Sequence, residues 1–318
     1  MREVAIIGAG MAGLSAAEQL RKAGHRVVIF EKSRGFGGRM ATRRTGDFQF
    51  DHGAQYFTAR GNAFVDQVAA WQEKGLVVDW GPGSYVGQPG MTALAREMAK
   101  NHTCITQAQV SRLERTPRGW RILDAQGEIA APGNGTYHAV IFAIPAPQAE
   151  ALVQSAGAHL PQLASAHYAP CIALMLAFEP ETRAITDDWM RPDDSVIGWI
   201  ARNSSKPGRP ADHQSWVVHA RAEWSRAQID KDPNGSGEIM LAHFKALTGI
   251  CAEPLHFAAH RWRYALVAKE LGLPCLFDPS TMIGACGDWC LGARVEAAYD
   301  SGRAMGETLV EALAAIPA

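Results

Sequence analysis

Val4-Ala5-Ile6-Ile7-Gly8-Ala9-Gly10-Met11-Ala12-Gly13 is the stretch whose reading decides the fold. A short apolar run enters a turn spaced Gly8-x-Gly10-x-x-Gly13, and a helical pattern over 12–23 leaves it. Leu14, Ala17 and Leu20 share one face of that helix, and Gly24 stops it. A second apolar run, 26–30, ends at Glu31, 18 residues after Gly13. Strand, glycine turn, helix, strand and acid on schedule form the context that a dinucleotide fingerprint requires. Gly8 permits the tight turn, Gly10 lets a pyrophosphate reach the backbone, and Gly13 allows close helix–strand packing. Met11 and Ala12 start the helix, whose free amides and positive end suit phosphate. Glu31 can accept from a ribose diol, which argues against a 2′-phosphate at this site.

The sequence continues Glu31-Lys32-Ser33-Arg34-Gly35-Phe36-Gly37-Gly38-Arg39. Adjacent glycines between arginines let backbone pass close to a diphosphate while a guanidinium pairs with its oxygens. A dehydrogenase that binds only nicotinamide has no use for this second clamp, whereas a flavoprotein does. Another glycine cluster, Gly81-Pro-Gly83-Ser-Tyr-Val-Gly87, is followed by no prompt helix and no acid, so it reads as a loop. One nucleotide fold is expected.

With 318 residues, the chain has material for one large domain or two intertwined ones. A formal charge of −1 gives no reason to expect nucleic acid or an anionic membrane as partner. No apolar run reaches the ~20 residues of a spanning helix. The N-terminus reads as a core strand without a cleavable signal, which makes cytoplasmic residence the expectation. Six cysteines are scattered without metal spacing; Cys286 and Cys290 form the one close pair, and no metal site is expected.

Helices are predicted over 62–74 and 91–101 and from 148. Strands are predicted over 76–80, 104–113, 120–123, 128–130 and 139–144. Beyond about residue 165, strands at 172–178, 196–201, 216–222 and 256–264 alternate with polar turns, around a helix at 237–248. A strand at 282–285 and a helix at 295–314 close the chain. The fold class is therefore α/β: a Rossmann-type nucleotide-binding domain interrupted by a mainly antiparallel β-sheet with a helix. The expected division assigns 1–58, 88–160 and 276–318 to the first domain, and 59–87 and 161–275 to the second.

The segments that follow Glu31 carry a resemblance. Arg34-Gly-Phe-Gly37-Gly38-Arg39, Asp51-His52-Gly53-Ala54-Gln55-Tyr56-Phe57, Ala143-Ile-Pro145-Ala-Pro147-Gln148, Trp216-Val-Val-His219, Glu223-Trp224-Ser225, His260-Arg261-Trp262-Arg263-Tyr264, Gly287-Asp288-Trp289 and Gly292-Ala-Arg294-Val295-Glu296 run through essentially the whole chain. Together they resemble the renalase family, within the flavin amine-oxidase superfamily. The resemblance implies FAD, non-covalent because no Ser-Gly-Gly-Cys attachment signature is present. It implies oxidation of misformed isomers of β-NAD(P)H, with hydride at ring position 2 or 6, back to β-NAD(P)+, with O2 becoming H2O2. Hydride transfer to a flavin needs alignment more than an acid or base.

By the same analogy Asp288 meets the ribityl or pyrophosphate region, although an aspartate there also caps a helix. Arg294 and Val295 start the last helix toward the flavin, and Val110 lies by the adenine or in plain strand core. Gln55 and Tyr56 line the flavin. Phe57, Thr58, Ala59, Arg60 and Gly61 begin the substrate side or form a structural turn. Arg96 either binds a substrate phosphate or sits on a solvated helix face, and His243 has the same two readings. Trp216 either roofs the cavity or fills sheet core; His52 is more ordinary as a core histidine. Two rivals remain: an amine oxidase on the same fold, and a non-enzymatic FAD- or NAD-binding module. The amine oxidase commonly uses a lysine near the flavin, and here Lys206 and Lys231 read as residues of polar turns. The aromatic-rich second domain argues against the bare module. The sequence leaves the oligomeric state open.

Overall fold

The computed structural model describes residues 1–127, 129, 132–133, 135–182 and 187–315. Its central sheet has six strands in the order Leu276–Asp278, Ile283–Ala285, Ala139–Phe142, Glu3–Ile7, Arg26–Glu31, Thr103–Thr106. All pairings are parallel except that of the edge strand Leu276–Asp278. The middle strands are apolar along their length because both faces are covered, as parallel sheets demand. Val4, Ile6, Val27 and Ile29 point to one core and Ala5, Ile7, Val28 and Phe30 to the other.

Helix Met11–Lys22 returns the chain across the first face, and helix Val295–Ala314 lies against it. Their contact is unusually close. A Cβ on Gly302 would collide with the Ala12 carbonyl, and Ser15 Oγ donates to the Tyr299 carbonyl at 2.8 Å. The last helix thereby places its N-terminus beside the first glycine turn.

The second sheet is antiparallel, in the order Trp189–Met190, Ile197–Arg202, Gln214–Ala220, His167–Phe178, His256–Lys269. Helix Pro233–Thr248 covers one face, burying Met240 and Phe244 against Ile172, Leu174, Trp216 and Val218. Asp232 caps that helix by accepting from Gly235 N. The other face turns toward the hairpin Thr42–Thr45/Phe48–Asp51 and carries Met175, Ala177 and Val217 around Phe50. Helix Asn62–Glu73 and hairpin Val77–Asp79/Tyr85–Gly87 pack Phe64, Val68 and Val86 against Met11, Met40, Met91 and Tyr299.

The structure departs from the sequence reading in particular places. The strand expected over 104–113 is two, Thr103–Thr106 and Arg112–Thr116, because Gln107 adopts φ 58° and turns the chain. Gln107 N and Ala108 N then bond back to the Ser33 and Glu31 carbonyls. Of the strand expected at 128–130, positions 128 and 130 lie outside the described residues, and Ile129, whose amide donates to the Ile122 carbonyl at 3.2 Å, belongs to no strand. The helix expected from 148 begins at Ala146, since Pro147 fits a first turn where no amide partner is required. Hairpin Thr42–Asp51 and helix Ala222–Gln228 had no sequence expectation.

Gly302→Val should lower the unfolding free energy by about 2 kcal/mol or more, because the two helices cannot separate without opening their shared core. Thermal melts followed by circular dichroism give the answer; an unchanged midpoint would show that the contact is slack.

Candidate functional site

The first glycine turn is built as its spacing demands. Gly8 has φ 107°, and a Cβ on Gly13 would collide with the Gly8 carbonyl oxygen. Gly10 offers no side-chain cap, so the first-turn amides of Met11, Ala12 and Gly13 have no partner within the helix. Glu31 is buried at 7% exposure and ties the turn from beneath. Its carboxylate accepts from Ala9 N at 2.9 Å and from Ser33 N at 2.8 Å. Lys32, next to it, is exposed.

The second glycine segment lies directly over the first. Gly37 N donates to the Ala9 carbonyl at 2.9 Å, and Gly38 has φ 53°. A Cβ on Gly38 would come within 3.9 Å of Gly10 Cα, while one on Gly10 would meet nothing within 4 Å. Gly10 and Gly38 thus bring two bare backbones together, and neither carries a side chain that could cover the free helix amides beside them. That uncovered surface fits the diphosphate of FAD. Val110 is half-buried just past the Gln107–Ala108 bonds to Ser33 and Glu31.

Arg39 and Asp288, separated by 249 residues, meet in an ion pair at 2.6 Å. Arg39 also donates to the Ala265 carbonyl at 3.3 Å, so the guanidinium joins the turn to the long strand of the second sheet. Asp288 starts the short helix Asp288–Leu291, and its carbonyl accepts from Gly292 N at 2.7 Å. Arg294 is exposed and precedes helix Val295–Ala314, with half-buried Val295 first in it. Cys286 and Cys290 are buried thiols, and burial pushes Cys290 up to about 12, so neither is reactive at neutral pH.

Gln55 occupies a buried position whose surroundings the sequence did not reveal. Its amide donates to the Asp51 and Gly53 carbonyls and its Oε1 accepts from Lys206 Nζ at 3.1 Å. Lys206 is 1% exposed, which corrects the reading of it as a polar-turn residue. It sits 3.5 Å from the Asp51 carboxylate and 5.2 Å from the centre of the Trp80 ring. Arg209 grips Asp51 through two nitrogens at 3.1 and 2.5 Å, and Thr42 Oγ1 and Met91 N donate to the other oxygen. Burial alone would raise the Asp51 carboxyl, but Lys206, Arg209 and the Thr42 hydroxyl hold it below the usual carboxylate range. Burial pushes Lys206 down to about 8 against the pull of Asp51. Two cations facing one carboxylate leave one excess positive charge beside Gln55.

Tyr56 forms the next part of the wall, with Trp80 at 6.2 Å and Trp199 at 5.9 Å. Its hydroxyl accepts from Arg191 at 3.2 Å. His52 lies 5.0 Å from both His260 and Trp262. Its carbonyl meets His219 Nε2 at 3.2 Å and accepts from Trp262 Nε1 at 3.0 Å. Burial pushes His52 down to about 3 and His219 to about 4, so both are neutral rings.

Several expected substrate residues belong elsewhere. Trp216 packs at 5.5 Å on Phe244, on the helix-covered face of its strand; alternation gives the opposite face to Val217 and His219. His243 bonds Asp194 at 2.8 Å from the covering helix, bracing the loop whose Asp194 carboxylate accepts from Val196 N and Ile197 N. Phe57 is core, 5.9 Å from Phe64, while Thr58 and Ala59 are half-buried. Arg60 and Gly61 give their amides to buried Glu296 at 2.8 and 2.6 Å, so that segment is a structural turn on the last helix. Arg96 is exposed on helix Thr92–Ala99 and so takes the solvated-face reading.

Arg39→Ala should lose FAD on gel filtration while keeping its far-UV spectrum; a normal flavin-to-protein ratio would count against the phosphate role. The Lys206 cation has a pH signature. Its proton leaves at about pH 8 in the fold and at its ordinary 10.5 in the unfolded chain. Between these values the unfolded chain binds more protons, so stability rises with pH; below 8 the burial penalty is fully present. Relative to Lys206→Met, the wild type should gain a few kcal/mol from pH 7 to pH 10 in urea titrations. Parallel curves would remove the buried cation.

Among the described residues no helix is long and apolar enough to cross a membrane. Residues 6–69 match the NAD(P)-binding Rossmann-like domain, and residues 69–304 match the family described as flavin containing amine oxidoreductase. Among curated proteins, 76 residues are 38% identical to 4,4'-diapophytoene desaturase of Staphylococcus aureus strain Newman. That match covers 21% of this chain and 15% of the desaturase. The 1-hydroxycarotenoid 3,4-desaturase of a Flavobacterium species is 43% identical over 58 residues, 18% of this chain and 12% of that protein. Of solved structures, putrescine oxidase bound to putrescine superposes with a TM-score of 0.71 at 14% identity, covering 98% of this chain and 99% of that one. Cyclohexylamine oxidase of Brevibacterium oxydans gives 0.69 at 13% identity with the same coverage. The glycine turn, the paired sheets and the match over 69–304 lead to one statement: the chain belongs to the flavin-containing amine oxidoreductase family and is a flavin-dependent oxidoreductase with FAD as its cofactor.

Proposed function

We propose that this chain is a renalase-like oxidase that returns 2- and 6-dihydro isomers of β-NAD(P)H to β-NAD(P)+ and passes the electrons to O2. The observation that carries this reading is the wall beside Gln55: flat aromatic rings, two neutral histidines and an excess of positive charge. Bound FAD supplies the two-electron acceptor. The substrate gives up a hydride, and that hydride with one proton takes O2 to H2O2, so the electrons balance. The ring nitrogen lone pair drives hydride departure, and no proton has to be removed from the substrate first. His52 and His219, neutral and buried, fit a wall with no proton to move. Tyr56, braced by Trp80 and Trp199, offers a planar ring a surface to stack on. Lys206 and Arg209 against Asp51 favour negative charge developing in their neighbourhood.

One specific observation favours a second reading. Lys206 is buried among Gln55, Asp51 and Trp80, and an amine oxidase commonly has a lysine near its flavin. Aromatic rings on that wall also suit a neutral amine. Against this, the excess positive charge beside Gln55 disfavours the protonated amine that predominates at neutral pH.

Anaerobic stopped-flow mixing separates the two. The holoenzyme should bleach its flavin absorbance rapidly with 2- or 6-dihydro-NAD and slowly with 4-dihydro-NAD or monoamines. Fast bleaching by amines alone would overturn the assignment in favour of the second reading.

A further inference from the structure

Trp189 is a large aromatic side chain 47% exposed at the edge of the second sheet, and it is not loose. Its ring stacks on Trp199 with centroids 4.9 Å apart and planes 14° apart. The reason is register: Trp189 pairs with Ala201 in the antiparallel ladder, so it shares a sheet face with Trp199. One face of the indole is therefore backed and held, and the ring remains half open to solvent. Beside it is an open surface depression of about 530 Å³ lined by Asp187, Asp188, Trp189 and Arg202.

The aromatic path is continuous with the site already described. Trp199 meets Tyr56, and Arg191 links them by lying 5.1 Å over the Trp199 ring while donating to the Tyr56 hydroxyl. Among the described residues Arg191 makes no ion pair, so its charge is free for an anion. Arg202 is held by Asp188, and Asp187 is exposed without an ion-pair partner in the described residues.

We propose that this edge is the docking subsite for the purine-nucleotide half of a dinucleotide substrate. The base stacks on Trp189, the ribose hydroxyls donate to the Asp187–Asp188 carboxylates, and a phosphate meets Arg191. The inference rests on the dihydronicotinamide reading above and deepens it. A dinucleotide oxidised at one end has a second base and a diphosphate to place; the indole of Trp189, held against Trp199, offers the base a face, and Arg191, on the same Trp199 ring and without an ion pair among the described residues, offers the diphosphate a cation. Remote binding of this kind helps to hold the reacting ring in line.

The probes are ADP-ribose and oxidised nicotinamide mononucleotide, titrated into the FAD-loaded protein by calorimetry. ADP-ribose should bind the wild type. Trp189→Ala should weaken it about 10–100-fold, the usual worth of one base–aromatic stack. Trp189→Phe, which keeps a ring, should recover most of the loss. The mononucleotide, which has no purine, should bind wild type and Trp189→Ala within about twofold of each other. FAD content should be equal in all three proteins, which excludes a merely structural effect. The subsite is overturned if ADP-ribose does not bind the wild type, binds Trp189→Ala equally well, or loses no more affinity than the mononucleotide. Failure of the functional reading looks different: ADP-ribose then binds through Trp189 while no dihydronicotinamide isomer bleaches the flavin.

Discussion

Asp51 is the constraint on which the rest of the site depends. Its carboxylate is fully buried, and five donors converge on it from the hairpin, the Met91 turn and the second sheet's Lys206–Arg209 loop. Burying three ionised groups costs several kcal/mol per ion unless each is well partnered. The cluster meets that condition by geometry: Arg209 binds in fork fashion and also donates to the Gly87 carbonyl at 2.6 Å. Removing the carboxylate would leave two cations buried against each other. Neither the hairpin nor the loop can therefore move independently. Gln55, four residues after Asp51 and bonded to its carbonyl, is fixed by the same arrangement.

From this anchor the two sheets acquire their relation. Asn203 donates to the Gln49 carbonyl at 2.9 Å and accepts from Asp51 N, so the second sheet is stitched to the hairpin by backbone as well as by charge. The face that results is uneven. Near the hairpin it is apolar, with Phe50, Met175 and Val217; farther along it carries His219, His260 and Trp262 about the His52 carbonyl. Trp262 Nε1 and His219 Nε2 both meet that one oxygen, so each ring has a defined orientation. Arg39 bonding the Ala265 carbonyl adds a further tie, this time from the second glycine segment.

What was legible in the sequence is what local rules determine. The turn at Gly8–Gly13, the acid at Glu31, the alternation that puts Trp216 and Val217 on opposite faces, and the last helix at 295–314 all follow from spacing within a few residues. The site wall does not. Lys206 lies in Asn203-Ser-Ser-Lys-Pro-Gly, which has the composition of an exposed turn. Only the pairing with Asp51, 155 residues earlier, makes burial of its amine tolerable. Glu296 likewise reads as one more acid in a helix's first turn, yet it holds the Arg60 and Gly61 amides. Trp216 kept two readings for a related reason: periodicity separates two faces of a strand without saying which one meets the nucleotide domain. Nothing short of the tertiary pairing decides that.

The protonation pattern of this wall bears on the chemistry it can support. His52 and His219 are held neutral by burial far below physiological pH and cannot exchange protons there. Asp51 is held ionised by its two cations. Lys206 stands apart from these three: its value of about 8 lets its charge change within a unit or so of neutrality. With the lysine protonated the cluster carries one positive charge; deprotonated, it carries none. A reaction beginning with proton abstraction would call on Lys206 as a free base, and so would run against the charge state that Asp51 favours. A hydride transfer makes the opposite demand. It leaves the lysine as it is and uses the positive field for the charge arriving beside Gln55, which is the arrangement that the buried Asp51 cluster maintains.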